Sequence, residues 1–223
     1  MTKVISTKII DVITFSKGLI FVKKETLDDG SFKVSFFSFE LDTEKVAPVT
    51  KSVYLLNKFG PSYSPIAQQL GDYVTCSAGK LPGAETVVIY STGEMGLFNK
   101  DGELIWTGDL FYRESPARDV ALENKHIWCT VPDKNCLIRY STVVNKIVMR
   151  IGGEDSEAFK NPVSLSSFDG MLFVCNQRSM MINTVDMKDF SVKSYRRFNE
   201  AVYKYMRVGE KEFVLLDSGV YML

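Results

Sequence analysis

Residues 161–196 read NPVSLSSFDGMLFVCNQRSMMINTVDMKDFSVKSYR. This segment divides into four short runs rich in β-branched and aromatic residues, with turn residues such as Asp169–Gly170 between them. Each run has the length of a buried strand, and none keeps the 3.6-residue hydrophobic period of a helix. The segment therefore predicts four consecutive antiparallel strands joined by tight turns.

The same order of runs recurs upstream. HIWCTV (126–131) is followed by CLIRYST and KIVMRIG, and TVVIYS (86–91) is followed by EMGLFN and ELIWTG. A proline-led run precedes each of the three copies, with Pro65, Pro116 and Pro162 lying 51 and 46 residues apart. Proline at the first position of a strand loses no ladder hydrogen bond, so these runs are predicted to be first strands.

Four-stranded units repeating every 40–50 residues are typical of β-propeller blades. The whole chain of 223 residues divides into five such units of about 45 residues. The last unit is one strand short, and the N-terminal TKVISTK has no partner of its own. We predict an all-β, five-bladed propeller in one domain, closed by the N-terminal strand as the outer strand of the last blade. The predicted blades are residues 9–58, 64–108, 116–151, 162–197, and 201–223 with 2–8; four blades is the alternative, because residues 73–84 are irregular.

The charge balance argues against some classes of function. The 27 Lys and Arg residues equal the 27 Asp and Glu residues, which removes the strongest general argument for a nucleic-acid or membrane-surface role.

The N-terminal apolar stretch is interrupted by Asp11 and has no cleavage site after it, and no run approaches the ~20 apolar residues of a membrane span. The four cysteines form no CxxC pair, so we expect free buried thiols and a cytoplasmic protein.

The clearest repeats resemble NHL-type propeller repeats, and the resemblance is strongest over residues 115–186. The matching features in residues 151–186 are Gly152–Gly153, Phe159, Pro162, Asp169–Gly170, Leu172–Val174 and Ile182. Such a resemblance implies a propeller architecture. It implies no single function, because members of that group bind proteins, bind RNA or carry catalytic centres.

Two sets of residues are candidates for a site on the propeller axis. Polar residues just after the second strand of each blade should form a ring at one end of the channel and could bind a ligand or partner, although each could simply start a turn. These ring residues are Lys23, Ser91, Thr130, Asn176 and Asp217. The first strands contribute Asp11, Asp72 and Asp119, which could bind a sugar or calcium, or carry acid–base chemistry, if they converge. His126 is the chain's one histidine, so a His-rich metal centre is not expected.

A basic segment near the C-terminus suggests a third kind of site. Arg196, Arg197, Lys204 and Arg207 are interleaved with tyrosines there. Cations that hold phosphates and rings that stack on bases are what a single-stranded RNA surface requires.

The sequence offers no convincing nucleophile, phosphate-binding loop or set of metal ligands. Our preferred interpretation is a monomeric, non-catalytic recognition module that binds a protein or peptide on one face and needs no cofactor or metal. The alternatives are a carbohydrate-directed enzyme or lectin that uses the channel carboxylates, and RNA binding through the basic C-terminal blades. We expect neither a nucleic-acid nor a membrane partner.

Overall fold

The computed structural model describes residues 1–60, 66, 77–80, 86–90 and 92–223. Within these residues the chain forms five four-stranded antiparallel sheets, arranged as the blades of a five-bladed propeller. Both the predicted fold and its predicted closure by the N-terminal strand are confirmed. None of the helical segments in the described ranges has the length and apolar character that a membrane span requires.

The first strand along the chain, β1 (Thr2–Ile5), belongs to the last blade, and the first blade follows it. That blade contains, from the channel outwards, β2 (Ile9–Phe15), β3 (Gly18–Thr26), β4 (Phe32–Glu40) and β5 (Lys45–Val49). Strands β3 and β4 have nine residues each and are the longest strands of the described chain. The turn between them contains Asp28, Asp29 and Gly30; Gly30 has a φ of 81°, and Asp29 accepts a hydrogen bond from the backbone of Ser31.

A short helix corrects the predicted extent of the first blade. We expected that blade to continue to residue 58, but its sheet ends at Val49 and helix α1 (Lys51–Phe59) follows. Thr50 caps the helix by accepting a 3.4 Å hydrogen bond from the backbone of Val53. The helix forms because Tyr54, Leu55 and Phe59 lie on one side of it and are buried between the first two blades.

The second blade contains β6 (Ser77–Lys80), β7 (Thr86–Ile89), β8 (Glu94–Phe98) and β9 (Leu104–Asp109). Its innermost strand is β6, so the prediction that residues 64–70 form this strand was wrong. Ile66 is helical, and the other residues of 64–70 lie outside the described part of the chain.

The third blade also differs at its proline-led run. Phe111–Tyr112 (β10) and Ser115–Pro116 (β11) form a separate two-stranded ladder. The blade itself contains β12 (Val120–Glu123), β13 (His126–Val131), β14 (Cys136–Ser141) and β15 (Lys146–Gly152), with a 3₁₀ turn at Pro132–Lys134. The chain around Pro116 pairs with the segment that precedes it, and the Ala117 N–H donates to the Leu110 carbonyl. The inner strand therefore begins later, at Val120.

The fourth blade is formed by the segment for which the sequence predicted four consecutive strands, residues 161–196. It contains β16 (Pro162–Phe168), β17 (Met171–Asn176), β18 (Met181–Asp186) and β19 (Val192–Arg197). Pro162 is the first residue of the inner strand of this blade, as predicted. The Asp169–Gly170 turn that follows has φ values of 50° and 77°, a left-handed conformation that glycine adopts at little cost.

The last blade is completed by the N-terminal strand. Its order from the channel outwards is β20 (Val202–Val208), β21 (Lys211–Leu216), β22 (Gly219–Met222) and β1. Strand β1 is antiparallel to β22, with Thr2 opposite Met222 and Lys3 opposite Tyr221. This pairing joins the two ends of the described chain in one sheet.

The core consists of apolar clusters between neighbouring blades. Among the described residues each of the five seams has its own cluster, and α1 contributes to the seam between the first and second blades. Trp128, Tyr205 and Phe21 are among the largest fully buried side chains. Because each blade buries both faces against its neighbours, these short strands depend on the closed ring for their stability.

Candidate functional site

The innermost strands of all five blades surround a central channel. Together with α1 they line a cavity of about 1390 Å³. The contributions include Asp11 from β2, Ala78 from β6, Val120 from β12, Ser164 from β16 and Lys204 from β20. Loops from every blade converge at the two ends of such a channel, where propellers commonly present their sites.

A charged network in this channel centres on Asp11. Its Oδ2 atom accepts hydrogen bonds from the hydroxyl of Tyr54 and from Lys58 Nζ at 2.8 Å, and Lys58 Nζ also lies 2.9 Å from the Tyr54 hydroxyl. Its Oδ1 atom lies 3.4 Å from Lys204 Nζ. Burial by itself would raise the pKa of Asp11, but the charges of Lys58 and Lys204 and the hydrogen bonds lower that pKa well below its ordinary value. Asp11 is therefore an ionised carboxylate held between two cations.

Lys204 is the more accessible cation of this network. Its side chain is 30 % exposed, against 6 % for Lys58 and 11 % for Asp11. Burial opposes its charge, but the negative charges of Asp11 and Asp119 raise its pKa above the ordinary value for lysine. Lys204 is thus a permanent positive charge facing the channel.

Asp119 lines the same cavity and joins the third and fourth blades. Its Oδ2 atom accepts a 2.9 Å hydrogen bond from the backbone N–H of Leu165, and its Oδ1 atom accepts one of 3.0 Å from Val120. The Asp119 N–H in turn donates to the hydroxyl of Thr130 at 3.2 Å. The structure thus brings two of the three predicted acids to the channel, where both hold neighbouring elements together. Asp72 lies outside the described residues, and the described ranges contain no group of three His, Cys, Asp or Glu residues that could hold a metal ion.

The predicted ring residues have different surroundings from one blade to the next. Thr130 and Asn176 are fully buried, and Asn176 accepts a hydrogen bond from the Lys160 N–H and donates to backbone carbonyls. Lys23 forms an ion pair with Glu25 on its own strand, whereas Asp217 is exposed and accepts a 2.6 Å hydrogen bond from the Tyr203 hydroxyl. Ser91 lies outside the described residues. Of this set, Asp217 is the residue that lines the cavity.

The predicted basic set is spread over separate parts of the molecule. Arg196 and Arg197 lie exposed on β19, the outermost strand of the fourth blade. Lys204 faces the channel, and Arg207 pairs with Asp169 at 2.9 Å and Glu210 at 3.5 Å. The structure therefore does not bring these four side chains onto one basic face.

One end of the channel carries side chains that the sequence analysis did not select. We call this end the entrance mouth and define it by Lys8, Lys24, Phe32, Val34, Arg118, Tyr203 and Asp217, all of which line the cavity. Lys8 precedes β2, and Lys24 stands beside it on β3, where its N–H donates to the Lys8 carbonyl. Lys24 Nζ lies 3.6 Å from the centre of the Phe32 ring. The sequence did contain a signal for this feature: the apolar runs on either side of residues 28–30 are longer than those of the other blades. Their length places Phe32 beyond the end of the inner strand.

Comparison with known proteins supports the architecture. No protein-family model matches this chain, and no curated protein matches it. The chain is similar to the solved structure of U3-55K, with a TM-score of 0.56 and 8 % identity over 97 % of this chain and 61 % of that chain. It is also similar to Sqt1 of Saccharomyces cerevisiae, with a TM-score of 0.54 and 10 % identity over 96 % of this chain and 71 % of that chain. A third similar structure is that of the WD40 repeats of RRP9, with a TM-score of 0.51 and 8 % identity over 93 % of this chain and 57 % of that chain. The present chain spans less than two thirds of the length of the first and third of these chains. At such low identity the likeness shows the propeller fold alone.

Proposed function

We propose that this propeller is a non-catalytic recognition module that binds a segment of another protein at the entrance mouth. The observation that carries the proposal is the overhang of the β3–β4 hairpin. This hairpin holds two exposed apolar side chains, Phe32 and Val34, beside the opening of the channel.

The overhang follows from strand register. Ile9, the first residue of β2, pairs with Lys23, and the Lys24 N–H still donates to the Lys8 carbonyl, so the part of β3 beyond Lys24 has no inner strand beside it. Lys24 and Thr26 continue to pair with Val34 and Phe32, which keeps the hairpin regular beyond the rim of the blade. The sheet itself therefore positions these side chains, as a binding surface on a rigid scaffold requires.

The exposed apolar area is what a protein partner would cover. Phe32 is 60 % exposed and Val34 is 40 % exposed, and both lie on the wall of a large concavity. Apolar side chains that stay exposed together at a concave site are typical of binding surfaces. A partner segment that buried them would gain about 25 cal/mol for each Å² of apolar area removed from water.

The carbohydrate alternative receives less support from the channel acids. A general acid must carry a proton near neutral pH, whereas the two lysines keep Asp11 ionised. Asp119 already accepts two backbone N–H groups through its two oxygens. Both carboxylates thus resemble structural ion-pair and hydrogen-bonding groups more than a catalytic pair.

Two finer proposals accompany the first. The contact between Gly152 and Phe159, where a Cβ on the glycine would lie 2.7 Å from the ring, supports an NHL-type relationship for the third and fourth blades. The free buried thiols of Cys129, Cys136 and Cys175 support residence in the reducing cytoplasm.

A peptide-display selection tests the recognition proposal. Peptides enriched on the wild-type protein are measured against the double variant Phe32→Thr, Val34→Thr, in which threonine keeps the strand propensity and removes most of the apolar surface. The control is Ile105→Thr on β9, which removes a 50 % exposed apolar side chain from an outermost strand. We expect the double variant to weaken binding at least about tenfold and the control to leave it unchanged. Peptides that bind the double variant as well as the wild type would contradict the proposal.

A further inference from the structure

We propose that the entrance mouth selects an acidic segment of its partner, with one partner carboxylate bound between Lys204 and Arg118 and apolar neighbours of that carboxylate covering Phe32 and Val34. This inference rests on the proposed function and names the class of segment that the mouth accepts.

The first observation is the set of cations without acidic partners at the mouth. Lys8, Lys24 and Arg118 all line the cavity, and no carboxylate in the described part of the chain lies within ion-pair distance of them. Some basic side chains elsewhere do have such partners; Arg139 pairs with Glu123 at 2.9 Å, for example. The residues that define the mouth therefore include three cations and one acid, Asp217, so the mouth is net positive.

The second observation is the coordination of Lys204. Its ion-pair partner among the described residues is Asp11, at the long distance of 3.4 Å. The other oxygen of Asp11 already accepts hydrogen bonds from Tyr54 and Lys58. An ammonium group has three donors, so Lys204 retains donors for a second acceptor in the channel.

Arg118 is placed to share that acceptor. It lines the same cavity as Lys204 and directly precedes Asp119, which lines that cavity too. Arg118 is exposed, so its planar guanidinium can turn towards a carboxylate and bind it through two parallel hydrogen bonds. Lys204 and Arg118 thus both line the cavity in which the partner carboxylate would bind.

The acids of the cavity favour a peptide over RNA. Asp11, Asp119, Asp133 and Asp217 also line the wall, and they would repel a backbone that carries one phosphate per nucleotide. An acidic peptide can place one carboxylate at Lys204 and apolar side chains next to it. The exposed Phe32 and Val34 offer the complementary apolar surface.

The test uses three fluorescent probes with the full-length protein. The first is a ten-residue peptide with one central Glu flanked by Leu and Phe in an otherwise Gly and Ser sequence, blocked at both ends; the second has Gln in place of that Glu; the third is a uridine decanucleotide. Each probe is titrated against the wild type, Arg118→Ala, Lys204→Met and the control Lys188→Ala, which removes an exposed lysine from a β18–β19 turn. Arg118→Ala keeps the test valid if Lys204→Met fails to fold, because Arg118 is a surface residue.

We expect the acidic peptide to bind at least about tenfold more tightly than its amide twin, and Arg118→Ala and Lys204→Met each to reduce that binding about fivefold or more. Lys188→Ala should bind as the wild type does. Equal binding of the acidic and amide peptides, or preferential binding of the oligonucleotide, would overturn the inference. Display-selected peptides that depend on Phe32 and Val34 but carry no acid would also overturn it, and would leave the proposed function standing.

Discussion

Lys204 Nζ lies 3.4 Å from Asp11 Oδ1, although the two residues are 193 positions apart in the chain. Asp11 belongs to the first blade and Lys204 to the last, so this ion pair crosses the seam where the ring of blades closes. The same two blades are joined at the core by the cluster that contains Phe21 and Phe213. Closure is therefore held inside the channel as well as by the pairing of β1 with β22.

Replacing Asp11 with Asn should destabilise the protein by about 3 kcal/mol, because it removes the carboxylate that pairs with the nearly buried Lys58. Denaturation by guanidinium chloride measures the loss. The control is Asp169→Asn, which breaks an ion pair whose carboxylate is 82 % exposed and should change little. An equal loss of unfolding free energy in the two variants would show that the channel ion pairs stabilise the protein no more than an exposed ion pair does.

The contribution of Asp11 should depend on pH in a defined direction. Its pKa is lowered in the folded protein, so its stabilising effect is complete above the unfolded carboxyl pKa of about 4 and is lost as the pH falls towards the folded value. The difference in unfolding free energy between wild type and Asp11→Asn should therefore shrink below about pH 4. A difference that stays constant from pH 7 to pH 2 would contradict the ion-pair account.

Gly219 should be essential for closure. It has a φ of 135°, and a Cβ on it would collide with the carbonyl oxygen of Ile5 in β1. Gly219→Ala should cost about 2–3 kcal/mol in thermal or chemical unfolding. Gly209→Ala is the matched control, since Gly209 also has a positive φ, of 58°, but has open space around it and should lose only about 1 kcal/mol. A smaller loss at Gly219 than at Gly209 would argue against a tight β1–β22 contact.

The repeating pattern was enough to predict the fold, because strand length, turn residues and the unpaired N-terminal run are all local properties. MLFVCN and HIWCTV are buried strands, as expected from their nearly continuous apolar character. Helix α1 was not predicted, because a nine-residue segment is stable as a helix only through the burial of Tyr54, Leu55 and Phe59 between two blades.

The candidate site was harder to predict from the sequence than the fold was. Asp11 and Asp119 line the channel cavity, but the partners of Asp11 come from distant parts of the chain, namely Lys58 and Lys204. The burial of Thr130 depends on the backbone of Asp119 eleven residues earlier. Such pairings are tertiary, and no local pattern encodes them.

The described cysteines should react slowly in the native protein. Burial raises the pKa of Cys129, Cys136 and Cys175, to about 11 for Cys136, and the negative charge of Asp119 adds to the effect at Cys129 and Cys175. At pH 8 these thiols should carry little thiolate and resist iodoacetamide until the protein unfolds. Peptide mapping by mass spectrometry after native and denaturing alkylation checks this. Rapid native alkylation at any of the three would show that its surroundings open readily.

The central claim is that a partner segment binds at the entrance mouth, and hydrogen–deuterium exchange with a display-selected peptide tests it most directly. Binding should slow amide exchange in residues 24–34 of the overhanging hairpin and around Arg118 and Lys204, and leave the outermost strands β9, β15 and β19 unchanged. Slower exchange confined to those outermost strands, with no change in the hairpin, would contradict the account.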